Sequence, residues 1–171
     1  MENSVIETNE LTQVVINPEE LLEHWQGHRR VTRKTIEAFP EDKFTSYSVG
    51  GMRTFSAMTL ELIDLAVPGL KGIVTGEWPA MGELEHNNPS IIKSKAEILK
   101  LWDESTEQID QLWKQIPASR FHEVIKAFGM YEGPVYSTIL YFIDNEIHHR
   151  AQGYVYLRSL GIEPPFFWER G

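Results

Sequence analysis

Cysteine is missing from all 171 residues, which excludes a disulfide framework, a thiol nucleophile and any thiolate metal ligand. Metal chemistry is thereby confined to oxygen and imidazole donors, and a reducing compartment is expected. Positive charge is scarce as well. Sixteen Lys and Arg against twenty-five Asp and Glu leave a formal charge of −9, which argues against a broad nucleic-acid surface. The first thirty residues lack the basic start and following apolar run of a secretory signal. Long apolar runs are also lacking: the stretch Gly133 to Phe142 falls well short of the roughly 20 residues a membrane span needs. The expectation is a cytoplasmic protein with neither nucleic acid nor membrane as partner.

What is present is helical periodicity. The expected organisation is an N-terminal extension over residues 1–16 and one all-α domain over 17–171. Asn17-Pro18-Glu19-Glu20 supplies an N-cap, a proline at N1 and a glutamate at N3, and Leu21, Leu22, Trp25, Thr32, Ile36 and Phe39 then recur at three- and four-residue steps until Pro40. Phe55, Met58, Leu62 and Leu65 form the stripe of a second helix, from about Thr54 to Val67, which Pro68-Gly69 bends or ends, with resumption beyond Pro68 left as an alternative. Gly72 to Pro89 reads as an ordered loop carrying Trp78. Ser94-Lys95-Ala96-Glu97 has the form of a capping box, and a third helix follows to Pro117. Phe121 to Tyr131 gives no clear period and reads as loop. Gly133-Pro134 opens a last helix that runs to about Leu160. Two apolar stripes mark that helix, Ile139/Ile143/Ile147/Ala151/Tyr154 and Phe142/His149/Tyr156/Leu160, so neighbours are expected on both flanks. Beyond it, Phe166-Phe167-Trp168 is too much apolar surface to leave in water and is expected to pack on the bundle or across a dimer contact.

Polar residues interrupt these stripes at informative places. Asn145, His149, Gln152 and Tyr156 are spaced four, three and four apart and line one helix face, continuous with Phe142 and Leu160. A buried amide or imidazole left unpaired costs roughly 1–3 kcal/mol, so these groups must bond to each other, to backbone, to water or to a metal. Glu61 lies about 40° round its helix from Leu65 and about 60° from Met58, on the border of the buried stripe. Its plainer reading is a carboxylate that reaches water or a nearby Lys or Arg. His24 and His28 form a second i,i+4 pair, but Arg29, Arg30, Arg33 and Lys34 follow it, and that positive charge disfavours a cation. His86, His122 and His148 are expected in solvent or in local hydrogen bonds.

Met52-Arg53-Thr54-Phe55, Gly76-Glu77-Trp78-Pro79, Asn145-Glu146-Ile147-His148-His149-Arg150-Ala151-Gln152, Tyr156-Leu157-Arg158 and Gly161 together resemble the DinB superfamily, which includes YfiT-like metal-dependent hydrolases and the bacillithiol and mycothiol transferases. The resemblance spans about Pro18 to Pro165. It implies an up-down-down-up four-helix bundle, commonly a homodimer, with a divalent nickel or zinc ion held by three histidines. Those ligand positions fall here on Glu61, Asn145 and His149, of which only one is histidine. Exchanging two imidazoles for a carboxylate and an amide oxygen moves preference toward manganese or magnesium and weakens the ion as a Lewis acid.

Two functions follow. In one, Glu61, Asn145, His149 and waters hold a divalent metal (nickel, zinc or manganese) that activates water or a low-molecular-weight thiol for hydrolysis or transfer, with Trp78, Gln152 and Tyr156 shaping the pocket for a small-molecule substrate. In the other, the ligand positions have become a hydrogen-bonded cluster, and the chain is a non-catalytic dimeric scaffold or small-molecule binder. No residue is singled out as catalytic by the sequence.

Overall fold

The computed structural model describes residues 15–171; most of the expected N-terminal extension lies outside the described residues. Five α-helices carry the fold: α1 (Pro18–Ala38), the single turn α2 (Glu41–Phe44), α3 (Phe55–Thr75), α4 (Lys95–Trp113) and α5 (Val135–Ser159). Two 3₁₀ turns, Met81–Glu83 and Glu85–Asn87, fill the α3–α4 connection, and a third, Ala118–His122, precedes an antiparallel hairpin of β1 (Val124–Ala127) and β2 (Tyr131–Pro134). Both capping boxes form: Asn17 and Glu20 exchange bonds of 2.8 and 2.9 Å, and Ser94 and Glu97 bonds of 3.3 and 2.8 Å.

The four long helices make a ring in which α1 and α3 each touch α4 and α5. Side-chain pairing fixes their directions. Gln26 meets Asp110 while Arg33 meets Asp103, so α1 and α4 run opposite ways. Trp25 meets Glu146 while His28 meets Arg150, so α1 and α5 run together. Glu61 meets His149 and Gly69 meets Phe142, so α3 opposes α5. The bundle is therefore up-down-down-up.

Three elements depart from the sequence reading. The second helix does not end at Pro68 but continues to Thr75. An interior proline costs about 3 kcal/mol, yet Leu70 and Ile73 beyond it are fully buried, and each contributes about 1.5–3 kcal/mol. The burial outweighs the lost hydrogen bond. The stretch around Phe121–Tyr131 is a hairpin and not a loop; Phe128 at its turn has φ 51° and drives its ring against Trp78, centroids 5.1 Å apart. The C-terminal aromatics do not dock on the bundle: Phe166, Phe167 and Trp168 are 45–62% exposed, and Phe166 stacks on Trp168 at 4.8 Å. Backbone carbonyls hold this tail instead, Arg170 O accepting from Arg30 Nε and Glu169 O from Lys34 Nζ.

A fourth departure lies inside α5. Ile147 packs half-buried against the core, but Ala151 is exposed, and Glu146 and Arg150 between the two apolar stripes are buried, at 2% and 4% exposure. Glu146 Oε1 accepts from Thr32 Oγ1 at 2.6 Å and Oε2 from Trp25 Nε1 at 3.2 Å. Arg150 donates to His28 O and Thr32 Oγ1, both at 3.1 Å. Arg29, also buried, donates to Ser105 and Thr106 and lies 4.0 Å over the Trp102 ring. One carboxylate thus stands near two guanidiniums in the interior, and removing it leaves their charge uncompensated. Glu146→Ala should lower the unfolding free energy in urea by about 3–5 kcal/mol, whereas a loss below about 1 kcal/mol would show that these charges are not sealed from water.

Candidate ligand site between the second and last helices

Thr54 caps α3 by accepting from the Ala57 amide, which leaves Arg53 just outside the helix and free to fold back along its first two turns. The α3 and α5 faces meet closely because Gly153 stands where a Cβ would come within 2.4 Å of the Phe55 ring. That approach brings the chemistry-bearing side chains together. Arg53 Nη2 donates to Glu61 Oε2 at 2.5 Å and lies 3.4 Å from His149 Nε2. Asn145 Nδ2 donates to Glu61 Oε1 at 3.1 Å, and His149 Nε2 is 3.3 Å from that oxygen. On the other edge of the imidazole, Gln152 Oε1 is 2.7 Å from Nδ1, while Gln152 Nε2 turns to Met52 Sδ. Tyr156 donates its hydroxyl to Arg53 O at 2.8 Å and so holds the backbone from which the guanidinium reaches.

The sequence-derived positions Glu61, Asn145 and His149 therefore meet, with Gln152 and Tyr156 behind them. The residue the sequence reading did not assign is Arg53. It lies outside any helical repeat, eight residues from its partner, so periodicity carries no signal for it; only the Met52-Arg53-Thr54-Phe55 run marked it. Burial pushes the Glu61 carboxyl up, but hydrogen bonds from His149, Arg53 and Asn145 and the Arg53 charge overcome this and hold it at about 2.

Beside this cluster opens a cavity of about 350 Å³ between α3, α5 and the hairpin. Leu65, Phe128 and Phe142 form much of its wall, and Arg53, Glu61 and His86 present polar groups to it. Trp78, Gln152 and Tyr156 do not line it. Trp78 is placed by Gly72, where a Cβ would meet its ring at 2.3 Å, and it supports Phe128 from behind. The second histidine pair is occupied too: Arg150 Nη2 is 2.9 Å from His28 Nδ1, and burial followed by the Arg150 charge lowers the His28 pKa to about 3. Among the described residues, no group of three His, Cys, Asp or Glu side chains is arranged to hold a metal, and no helix is long and apolar enough to cross a membrane.

The lowered Glu61 pKa has a definite sign. A carboxylate held below its ordinary 4.5 adds stability above that pH and loses it as pH falls toward about 2. Wild type should exceed Glu61→Gln in stability at pH 7, and the difference should shrink progressively from pH 4.5 downward. A difference independent of pH between 7 and 3 would contradict the network.

Comparison with known proteins fits this architecture. The family model described as "DinB family" matches residues 7–170. No curated protein matches. A DinB-like protein from Bacillus cereus superposes with a TM-score of 0.70 at 16% identity, over 86% of this chain and 95% of its own. A DinB-like protein from Bacillus subtilis gives 0.66 at 17% identity, over 86% of this chain and 96% of its own. At such identities these structures speak for the fold alone, while the family match covers nearly the whole sequence: this chain belongs to the DinB family.

Proposed function

We propose that this protein binds a small amphipathic molecule without a resident metal, the Arg53 guanidinium standing at the place where the family resemblance puts a divalent ion. The observation that carries this is the position of Nη2, 2.5 Å from Glu61 Oε2 and 3.4 Å from His149 Nε2. The donor set fits a divalent ion poorly. It offers one imidazole, one carboxylate already shared by a guanidinium and an amide, and an Asn145 whose nitrogen end faces that carboxylate. A divalent ion about 4 Å from the guanidinium would be opposed by at most ~8 kcal/mol at an effective dielectric of 20, an upper bound because Arg53 is half exposed.

Both nitrogens of His149 are engaged inside the cluster, so neither is offered to the cavity as a general base. The hydrolase or thiol-transferase reading depends on an activating ion, and a low-molecular-weight thiol cofactor depends on it equally. The geometry favours the binding alternative, in which the apolar walls take the body of the ligand and Arg53 donates to an acceptor group on it. A homodimer belongs to this proposal through the family resemblance.

Protein stripped with chelator should show no stoichiometric nickel, zinc or manganese binding by calorimetry. It should bind 8-anilinonaphthalene-1-sulfonate about tenfold more tightly than Arg53→Met does, because the sulfonate loses a charge-assisted hydrogen bond in the variant. One ion per chain, lost in His149→Ala, would overturn the proposal, as would equal dye affinity in the two proteins.

A further inference from the structure

Three residues beyond Glu61 on α3, Asp64 projects on the same side of the helix and holds a second nitrogen group at the cavity wall. Asp64 Oδ2 accepts from the backbone amide of His86 at 2.8 Å and lies 3.1 Å from its Nδ1. The two bonds to one oxygen fix both the 3₁₀ turn and the ring. The imidazole is nearly covered, with 6% of its side chain exposed, yet it is part of the cavity lining. Its Nε2 bonds to no protein atom, and it is not among the sealed polar atoms without partners, which are Arg29 Nη1, Trp113 Nε1 and Tyr154 Oη among the described residues. A carboxylate acceptor at Nδ1 selects the tautomer that carries its proton there, which leaves a bare lone pair on Nε2.

We infer that the Asp64–His86 pair is a second polar subsite of the cavity, an acceptor for an O–H or N–H group on the ligand, complementary to the donor at Arg53. The inference rests on the proposed binding function and narrows it to a chemical class. The ligand has an apolar body, a carboxylate or carbonyl toward Arg53, and a hydroxyl or amine hydrogen toward His86. Glu61 and Asp64, three residues apart on one side of α3, each position one of the two contacts. Asp64 is a positioning residue, acting on the ligand only through the ring it orients.

Phenylacetate and 4-hydroxyphenylacetate serve as paired probes, because they differ only in the hydroxyl. Wild type should bind the hydroxylated probe roughly five- to tenfold more tightly, and His86→Phe, which keeps a ring of similar volume without nitrogen, should bind the two alike. Asp64→Asn should narrow the preference while leaving phenylacetate affinity in place. Long-range ¹H–¹⁵N spectra of unmodified protein should show His86 protonated at Nδ1 and bare at Nε2, a readout that needs no variant. A hydroxyl preference that survives His86→Phe, or a proton on Nε2, overturns the subsite while leaving the cavity function standing. Phenylacetate binding that is absent, or equal in wild type and Arg53→Met, overturns the cavity function and the subsite together.

Discussion

The Arg53–Glu61 ion pair sets the character of the space between α3 and α5. Its guanidinium neutralises the Glu61 carboxylate, bridges toward His149, and is itself steadied by the hydroxyl of Tyr156 on its carbonyl. Without it, Glu61 would be a partly buried charge with only an amide and an imidazole for company, and such a site would attract a cation from solution. With it, the same side chains form a closed network.

The second consequence is spatial. Beside the polar cluster the cavity has an apolar body formed by Leu65, Phe128 and Phe142, and its rim also carries polar side chains such as Glu132, Ser137 and Thr138. Arg53 and His86 are held by α3 carboxylates one turn apart, and the outer wall is supplied by the hairpin, whose Phe128 is braced by Trp78. Rigidity comes from the opposite side of the bundle, where Glu146, Arg150, Arg29 and Thr32 tie α1, α4 and α5 together through buried bonds.

Much of this was legible in the sequence. The four long helices, the two capping boxes and the shared face of Asn145 and His149 followed from spacing, because periodicity reports which residues share a face; that Glu61 joins them was implied only by the family resemblance. Other features obey rules that spacing does not carry. Pro68-Gly69 signals a bend or stop locally, while the burial of Leu70 and Ile73 beyond it decides that the helix continues. The hairpin strands are four residues long, too short for alternation to register. Glu146 and Arg150 lie between the two apolar stripes of α5 and carry no periodic signal of their own, although an i,i+4 pair of opposite sign among polar partners can be buried whole. Arg53 was visible in a motif but not in a repeat, and its role appears only when the chain folds back. The aromatic tail packs part of its surface on itself and not on the bundle, which leaves the dimer-contact alternative standing.

The central claim is that a guanidinium, and not a metal ion, sits between Glu61 and His149. The most direct test is a crystal structure of protein grown in millimolar nickel, with anomalous diffraction collected above the nickel edge. The account predicts Arg53 Nη2 within hydrogen-bond distance of Glu61 and no anomalous peak at the cluster. A nickel peak ligated by Glu61, Asn145 and His149, with Arg53 swung away into solvent, would contradict it.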